Sequence, residues 1–314
     1  MNNNRILKTV SFFFRGKGAS SHRTAGVPTG PGRTGPARMM GGWEREGEIE
    51  AGGRRLAFAE AGPESDLLSI VFIHGAGGSR KSWSHLLHDI SRLGLHAIAL
   101  ELPGHGASPG QGTPPGQGSR KIGSYAETVE AFIEARGLAR PVLAGHSMGG
   151  AVALTCGLNI PARLGGLILI GTGARLRVME SILAGVLSNF EATAAEIVDF
   201  LFAPSAPAAL AEEGRRQLLE CSPEVVHGDF SACDGFDERN RIGDIALPSL
   251  ILCGDSDRLT PPTYSQFLAE KLPSAELRII PDAGHMVMVE QPRRVGEEIR
   301  RFMDSLFSRK TGGG

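Results

Sequence analysis

Cysteine is scarce in this 314-residue chain, and the four present, Cys156, Cys221, Cys233 and Cys253, are widely scattered. No pair has CxxC spacing, so a disulfide framework and a redox motif are both excluded. Cys156 and Cys253 sit in apolar runs and read as small core residues, and no pattern supports a Cys221–Cys233 bridge. No HExxH or comparable cluster proposes a metal. No apolar run approaches the length of a membrane span. Aromatic residues are only 6% of the chain, and neither sign of charge is in excess, the formal net charge being -1. That near-zero value hides a division. Residues 1–43 hold seven Lys or Arg and no Asp or Glu, which leaves 26 basic and 34 acidic residues for the rest. An acidic body of this kind argues against a nucleic-acid-binding surface.

Residues 1–43 read as a disordered basic extension, rich in Gly and Pro, with no core of its own. Residues 6–14 are apolar but short, are interrupted by Lys8 and are followed by no small-residue cleavage site, a poor secretory signal. The acid-free composition only weakly resembles a transit peptide, and a cytoplasmic location is expected. A translation start at Met39 or Met40 would remove the extension. Gly30-Pro31-Gly32-Arg33-Thr34-Gly35 spells GxGxxG but follows no strand, so it proposes no dinucleotide.

What is abundant is apolar residue, 41% of the chain, arranged as alternating strand and helix patterns from Gly47 onward. An opening hairpin is expected over 48–60. Continuous apolar strands follow at 68–73, 96–102, 141–144, 167–170, 249–253 and 277–280, and helical spacing at 82–93, 121–136 and 147–158. Val295, Ile299, Phe302 and Leu306 form one stripe of a final amphipathic helix. Such alternation predicts an α/β fold with a mostly parallel sheet and helices on both faces. Ligands on such sheets bind at the carboxyl ends of the strands. The alternation breaks at 175–244, which is helical throughout and reads as a lid over those ends. The expected division is thus a core of 44–174 and 245–308, a helical cap of 175–244 and a flexible tail of 309–314. Leu187, Phe190, Phe200 and Phe202 are candidates for cap core or pocket wall alike.

Gly145-His146-Ser147-Met148-Gly149 matches G-x-S-x-G, a weak pattern alone, and Gly106-Ala107-Ser108-Pro109-Gly110 matches it too. Context separates them. A nucleophile elbow needs a strand before it and a helix after it, so that a strained turn lifts the hydroxyl above the sheet. Ser147 lies between Val142-Leu143-Ala144 and Ala151-Val152-Ala153-Leu154, whereas Ser108 runs into a Gly/Gln/Pro loop. Gly145 and Gly149 suit a turn with no room for Cβ atoms. A serine nucleophile needs a base, and the base an orienting carboxylate, in the chain order Ser, acid, His. Of the two histidines after Ser147, His227 lies in the expected cap, whereas His285 just follows a strand. Asp257 likewise just follows a strand, with Asp255 its competitor at the strand exit. Oxyanion donors are expected from the Met148 and Ala76 amides, the latter in the turn His74-Gly75-Ala76-Gly77-Gly78. His74, His105 and His146 are expected to hydrogen-bond around the site, with Gly75 and Gly77 permitting close backbone approach. Trp83 could line the pocket or pack beneath it.

Together, Val71-Phe72-Ile73-His74-Gly75-Ala76-Gly77-Gly78, Leu102-Pro103-Gly104-His105-Gly106, Gly145-His146-Ser147-Met148-Gly149-Gly150, Gly254-Asp255-Ser256-Asp257 with Pro261, and Gly284-His285 resemble the α/β-hydrolase superfamily. The resemblance runs from about Gly47 to Leu306 in the right order. Glu101 stands where many relatives carry Asp. The resemblance implies an eight-stranded α/β-hydrolase fold with an inserted helical cap, a Ser147–Asp257–His285 triad, and neither metal nor organic cofactor. The expected activity is hydrolysis of a small or medium carboxylic ester through an acyl-enzyme. Lactonase, carbon–carbon bond hydrolase and perhydrolase share this triad, and a non-catalytic ligand receptor is the non-enzymatic alternative. The expected partner is a small-molecule ester, with no nucleic acid and no membrane span; the oligomeric state is not written in the sequence.

Overall fold

The computed structural model describes residues 38–40, 44–63, 69–110 and 119–311. The chain begins with strands β1 (Arg38–Met40), β2 (Glu44–Ala51), β3 (Arg54–Ala61) and β4 (Ser69–Ile73). Next come α1 (Ser84–Arg92), β5 (His96–Leu100), α2 (Ile122–Ala135), β6 (Val142–His146), α3 (Met148–Asn159) and β7 (Gly166–Ile170). Four helices intervene: α4 (Glu180–Ser188), α5 (Phe190–Leu201), α6 (Ala208–Leu219) and α7 (Pro223–Asp234). The chain closes with β8 (Ser249–Gly254), α8 (Pro262–Lys271), β9 (Ala275–Ile280), α9 (Val287–Glu290) and α10 (Pro292–Thr311).

One sheet in the order β1-β2-β3-β5-β4-β6-β7-β8-β9 joins all these strands. The expected eight, β2 to β9, are extended at one edge by β1. From β5 to β9 every pairing is parallel, and the β1–β2–β3 edge joins β5 antiparallel. Parallel strands covered on both faces have no polar side to show, and β4, β5, β6, β7 and β8 are buried at every position. Alternate residues feed two cores. Val71 and Ile73 pack with Phe132 and Val152 on the α2/α3 face, whereas Ile70 and Phe72 pack with Leu86, Ile90, Ile299 and Phe302 on the α1/α10 face. The expected α10 stripe is the one that buries.

The helical block α4–α7 leaves and rejoins the sheet through an antiparallel bridge between Arg175 and Asp237. It has a small core of its own around Ile182, Val186, Ala194, Ile197, Leu218 and Val226. No helix among the described residues is long and apolar enough to cross a membrane. All four cysteines are free thiols.

Three expectations need correction. The extension read as disordered over 1–43 lies mostly outside the described residues, as does the GxGxxG pattern, but 38–40 form a strand. That strand pairs through backbone groups with β2, which leaves no compositional signature. The tail read as flexible from 309 is helical to Thr311; nothing breaks the helix before Gly312. Helix α8 was not anticipated, because its apolar positions are sparse; Pro261 and Pro262 are its start signal.

Candidate active site

Ser147 sits between β6 and α3 with φ 51° and ψ -114°, a conformation a side-chain-bearing residue rarely adopts. The surroundings enforce it. The Ser147 N–H donates to the Ile170 carbonyl at 2.9 Å, and the Ser147 carbonyl accepts from the Gly150 N–H at 2.9 Å and the Thr172 hydroxyl at 2.8 Å. A Cβ on Gly145 would stand 2.1 Å from the Gly149 carbonyl oxygen, and one on Gly149 would stand 2.1 Å from that of Ile73. Both glycines are therefore conditions of the turn. Ser108, the competing match, is buried and tied up, donating to the Glu101 carbonyl and accepting from the Ala57 N–H.

His285 and Asp257 are both buried and face each other. The His285 Nδ1–H donates to Asp257 at 2.9 Å to Oδ2 and 3.1 Å to Oδ1. Asp257 also accepts from the Leu259 and Thr260 N–H groups and the Thr260 hydroxyl, each at 2.9 Å. Burial pushes its pKa up; the charge and hydrogen bond of His285, with the Thr260 donors, outweigh that and hold it below the ordinary carboxylate range. Asp255, the competing acid, is exposed and accepts from Ser256. His227, the competing base, lies on α7 and is not part of this constellation. His285 is fixed from behind as well, its carbonyl accepting the His146 Nε2–H at 3.0 Å.

Ser147 and His285 line one cavity of about 80 Å³ beneath the α4–α7 block. The Ser147 hydroxyl is not hydrogen-bonded to His285 in this state, an alignment that often tightens only with substrate. Gly75, Ala76, Gly77 and Gly78 form another wall. Among the described hydrogen bonds, neither the Ala76 nor the Met148 N–H has an acceptor. Met148 opens α3, where the helix dipole also favours negative charge. The remaining wall is mostly apolar: Ile197, Leu201, Leu218 and Phe230 from the helical block, with Leu259 and Met286, and with Ser82 and Gln217 as its polar members. Leu187, Phe190, Phe200 and Phe202, the wall candidates read from sequence, are not among the lining residues; Leu187 is exposed and Phe190 packs into the block's own core. Trp83 is buried, packed at a tilt against Phe72 at 4.9 Å between ring centroids and edge-on to His146.

The supporting histidines are neutral for an explicit reason. His74 donates from Nδ1 to the Gly75 carbonyl and accepts the Leu102 N–H at Nε2, and burial with the charge of His105 pushes its pKa down to about 3. His146 is likewise lowered to about 3 by burial and by His285. His105 differs: both its nitrogens face acceptors, the Pro103 carbonyl and Asp229, and the pull of Asp229 overcomes burial and raises its pKa.

Sequence reasoning missed three contributors. Thr260 could have been found, since an Asp followed by backbone amides at the next two or three positions is a local turn motif. Glu290 accepts the Ala203 N–H at 2.8 Å and the Gly284 N–H at 2.9 Å, pinning the His285 turn to the end of α5. Asp229 is buried on α7 and reaches across to Gly77 in the 74–78 turn. No group of His, Cys, Asp and Glu among the described residues could hold a metal ion.

With this geometry in place, known proteins can be set beside it. The sequence pattern of the Alpha/beta hydrolase family matches residues 70–298. The acetyltransferase component of the acetoin cleaving system of Pseudomonas putida (a dihydrolipoyllysine-residue acetyltransferase) is 31% identical over 82% of this chain and 68% of its own. A hydrolase of 2-hydroxy-6-oxononadienedioate and 2-hydroxy-6-oxononatrienedioate from Comamonas testosteroni is 25% identical over 71% of this chain and 82% of its own. Among solved structures, a thermophilic esterase superposes with a TM-score of 0.72 at 31% identity, over 84% of this chain and 98% of that one.

Proposed function

The chain belongs to the alpha/beta hydrolase family, and on that premise we propose that it is a serine hydrolase cleaving a short, uncharged carboxylic ester through an acyl-enzyme. The observation that carries the reading is the convergence of Ser147, the Asp257-paired His285 and the Ala76 turn on one cavity. Ser147 Oγ attacks the ester carbonyl while its proton passes to His285 Nε2. The negative oxygen of the tetrahedral intermediate lies against the Ala76 and Met148 N–H groups. Collapse expels the alcohol, which takes the proton back from His285. A water, deprotonated by His285, then attacks the acyl carbonyl and frees Ser147 and the acid. Asp257 holds His285 as the tautomer with its proton on Nδ1 and stabilises the cation formed in each half-reaction.

The cavity favours this substrate class within the family. Its volume suits an acyl group of a few heavy atoms, and its walls are mostly apolar. The named substrates of the Comamonas relative are dioates, and carbon–carbon bond hydrolysis is the second reading. Among the residues lining the present cavity there is no lysine or arginine to receive a carboxylate. Burying an uncompensated carboxylate is costly, which disfavours dioates here. The block 175–244 is read as the cap, since it supplies most of the apolar wall.

The test is turnover of short p-nitrophenyl esters together with labelling by a fluorophosphonate. Ser147→Ala should lose both, with kcat down by about 10⁴ or more. A folded Ser147→Ala protein with undiminished turnover would refute the mechanism. Absence of labelling in folded wild type would favour a ligand receptor.

A further inference from the structure

Helix α7 faces the site with two adjacent residues that do different things. Phe230 lines the cavity. Asp229, fully buried, turns to the oxyanion turn and meets donors from three other segments. Its Oδ2 accepts the Gly77 N–H at 2.8 Å and the His105 Nε2–H at 2.8 Å. Its Oδ1 accepts the Tyr125 hydroxyl at 2.5 Å. Tyr125 in turn accepts the Ser119 N–H, and His105 donates its other N–H to the Pro103 carbonyl. A buried carboxylate with three well-formed donors, one of them charged, is held rigidly.

What it holds is the peptide joining Ala76 to Gly77. Gly77 has φ 62°, and a Cβ there would stand 2.5 Å from Leu218 of α6, so the turn is pressed against the helical block. The Ala76 N–H lies one peptide upstream and has no acceptor among the described hydrogen bonds. Fixing the Gly77 N–H fixes the plane of the Ala76–Gly77 peptide and thereby limits how the Ala76 N–H can be aimed. Oxyanion donors must be set before the reaction, because reorganisation during it costs rate.

We propose that Asp229 is a positioning residue for the oxyanion donor of Ala76, and that through it the helical block sets the catalytic competence of the turn. This rests on the serine-hydrolase reading above. It makes the block more than a wall: a shift of α7 moves Phe230 and releases Gly77 together.

The test compares Asp229→Ala, Asp229→Asn and Tyr125→Phe with wild type in p-nitrophenyl ester turnover, separating kcat from KM. Fluorophosphonate labelling rates and hydrogen exchange at the Gly77 amide are read alongside. Asp229→Ala should lower kcat and the labelling rate by about 10- to 100-fold, less than outright loss of a donor, with KM little changed. The Gly77 amide should exchange faster in the same protein. Asp229→Asn, whose amide oxygen can still accept from Gly77, should recover part of the loss. Tyr125→Phe removes the Oδ1 partner and the acceptor of the Ser119 N–H but spares the Gly77 bond, and should leave kcat nearly intact even if its Tm falls as far. Should Asp229→Ala fail to fold, Asp229→Asn carries the test, because its kcat should still lie below wild type at unchanged KM. Wild-type kcat in folded Asp229 variants, or equal kcat losses in Tyr125→Phe and Asp229→Asn at equal Tm, would overturn the proposal. Wild type that neither turns over esters nor labels at Ser147 would instead overturn the proposed function, and this inference with it.

Discussion

Acid should destabilise this protein already above the range in which ordinary carboxylates are protonated, and His74 is a principal cause. In the folded state its pKa is lowered from 6.5 to about 3, because burial and the neighbouring His105 cation both oppose a second proton. Unfolding returns the side chain to its ordinary value. A depressed folded pKa means that stability is fully present above 6.5 and is lost as pH falls through 6.5 towards 3, since only the unfolded chain binds the proton there. Between about pH 7.5 and pH 5 the loss is about 2 kcal/mol for one such histidine. His146, also lowered to about 3, adds a similar amount. Together they take about 4 kcal/mol from a total that is ordinarily about 5–15 kcal/mol.

His74→Gln isolates the effect. Glutamine supplies one donor and one acceptor, as the neutral ring does for Gly75 and Leu102, and it does not titrate. The assay is urea unfolding of wild type and variant at both pH values. The variant should be the less stable protein at pH 7.5, and the gap should close by about 2 kcal/mol at pH 5. His105 titrates in the opposite sense and is present in both proteins, so its own contribution largely cancels between them. Its folded pKa is raised, so its contribution is fully present below 6.5 and is lost only as pH rises through the folded value. Parallel stability curves for the two proteins would refute the reasoning, because they would mean that folded His74 takes up its proton as readily as the unfolded chain does.

Two further outcomes concern Glu60 and the cavity. Glu60 is lowered from 4.5 to about 2: burial would raise it, but hydrogen bonds and charge from His96, Arg136 and Arg45 prevail. Its stabilisation is therefore present above 4.5 and lost between 4.5 and 2, and Glu60→Gln should remove about 2 kcal/mol of that acid slope after allowance for solvent screening, read by urea unfolding across the interval. In the cavity, the p-nitrophenyl half-ester of a short dicarboxylic acid should react with kcat/KM at least about 10-fold below a neutral ester of equal length, for want of a cation to pair with. Equal values would show that a carboxylate is accommodated after all and would move carbon–carbon bond hydrolysis of dioates ahead of ester hydrolysis.

How far the site could be read in advance depended on whether its geometry is local in sequence. Ser147 was legible because the strained turn makes its demands within a few residues: Gly145 and Gly149 lack Cβ atoms for reasons found in the same turn and the adjacent β4 carbonyl. That Asp257 and His285 lie beside one another was legible because each follows the end of a strand of a parallel sheet, and such strands deliver their ends to one edge. The sheet itself was legible because strands buried on both faces are written as unbroken apolar runs. Strand β1 was not, since its backbone pairing with β2 leaves no mark in the sequence.

The cavity wall and the anchoring of Gly77 were hidden for a different reason. Helical periodicity reveals which face of α5 or α6 is apolar, but not whether that face meets a neighbouring helix or the 74–78 turn. Leu187 and Phe190 share the amphipathic pattern of Ile197 and Leu201, yet only the latter two reach the cavity. Asp229 is the sharper case. Its partner Gly77 lies 152 residues away, and nothing local on α7 marks their meeting. The only sign is a carboxylate on the same helical face as the buried Val226 and Cys233. A lone acid on a buried face must find donors somewhere, because an unpaired buried charge is too costly to keep. Here the uncommitted donors near the site were the glycine-rich turn and His105. Had the acid been read as a demand for donors, the link between the helical block and the glycine-rich turn would have been open to inference from the sequence.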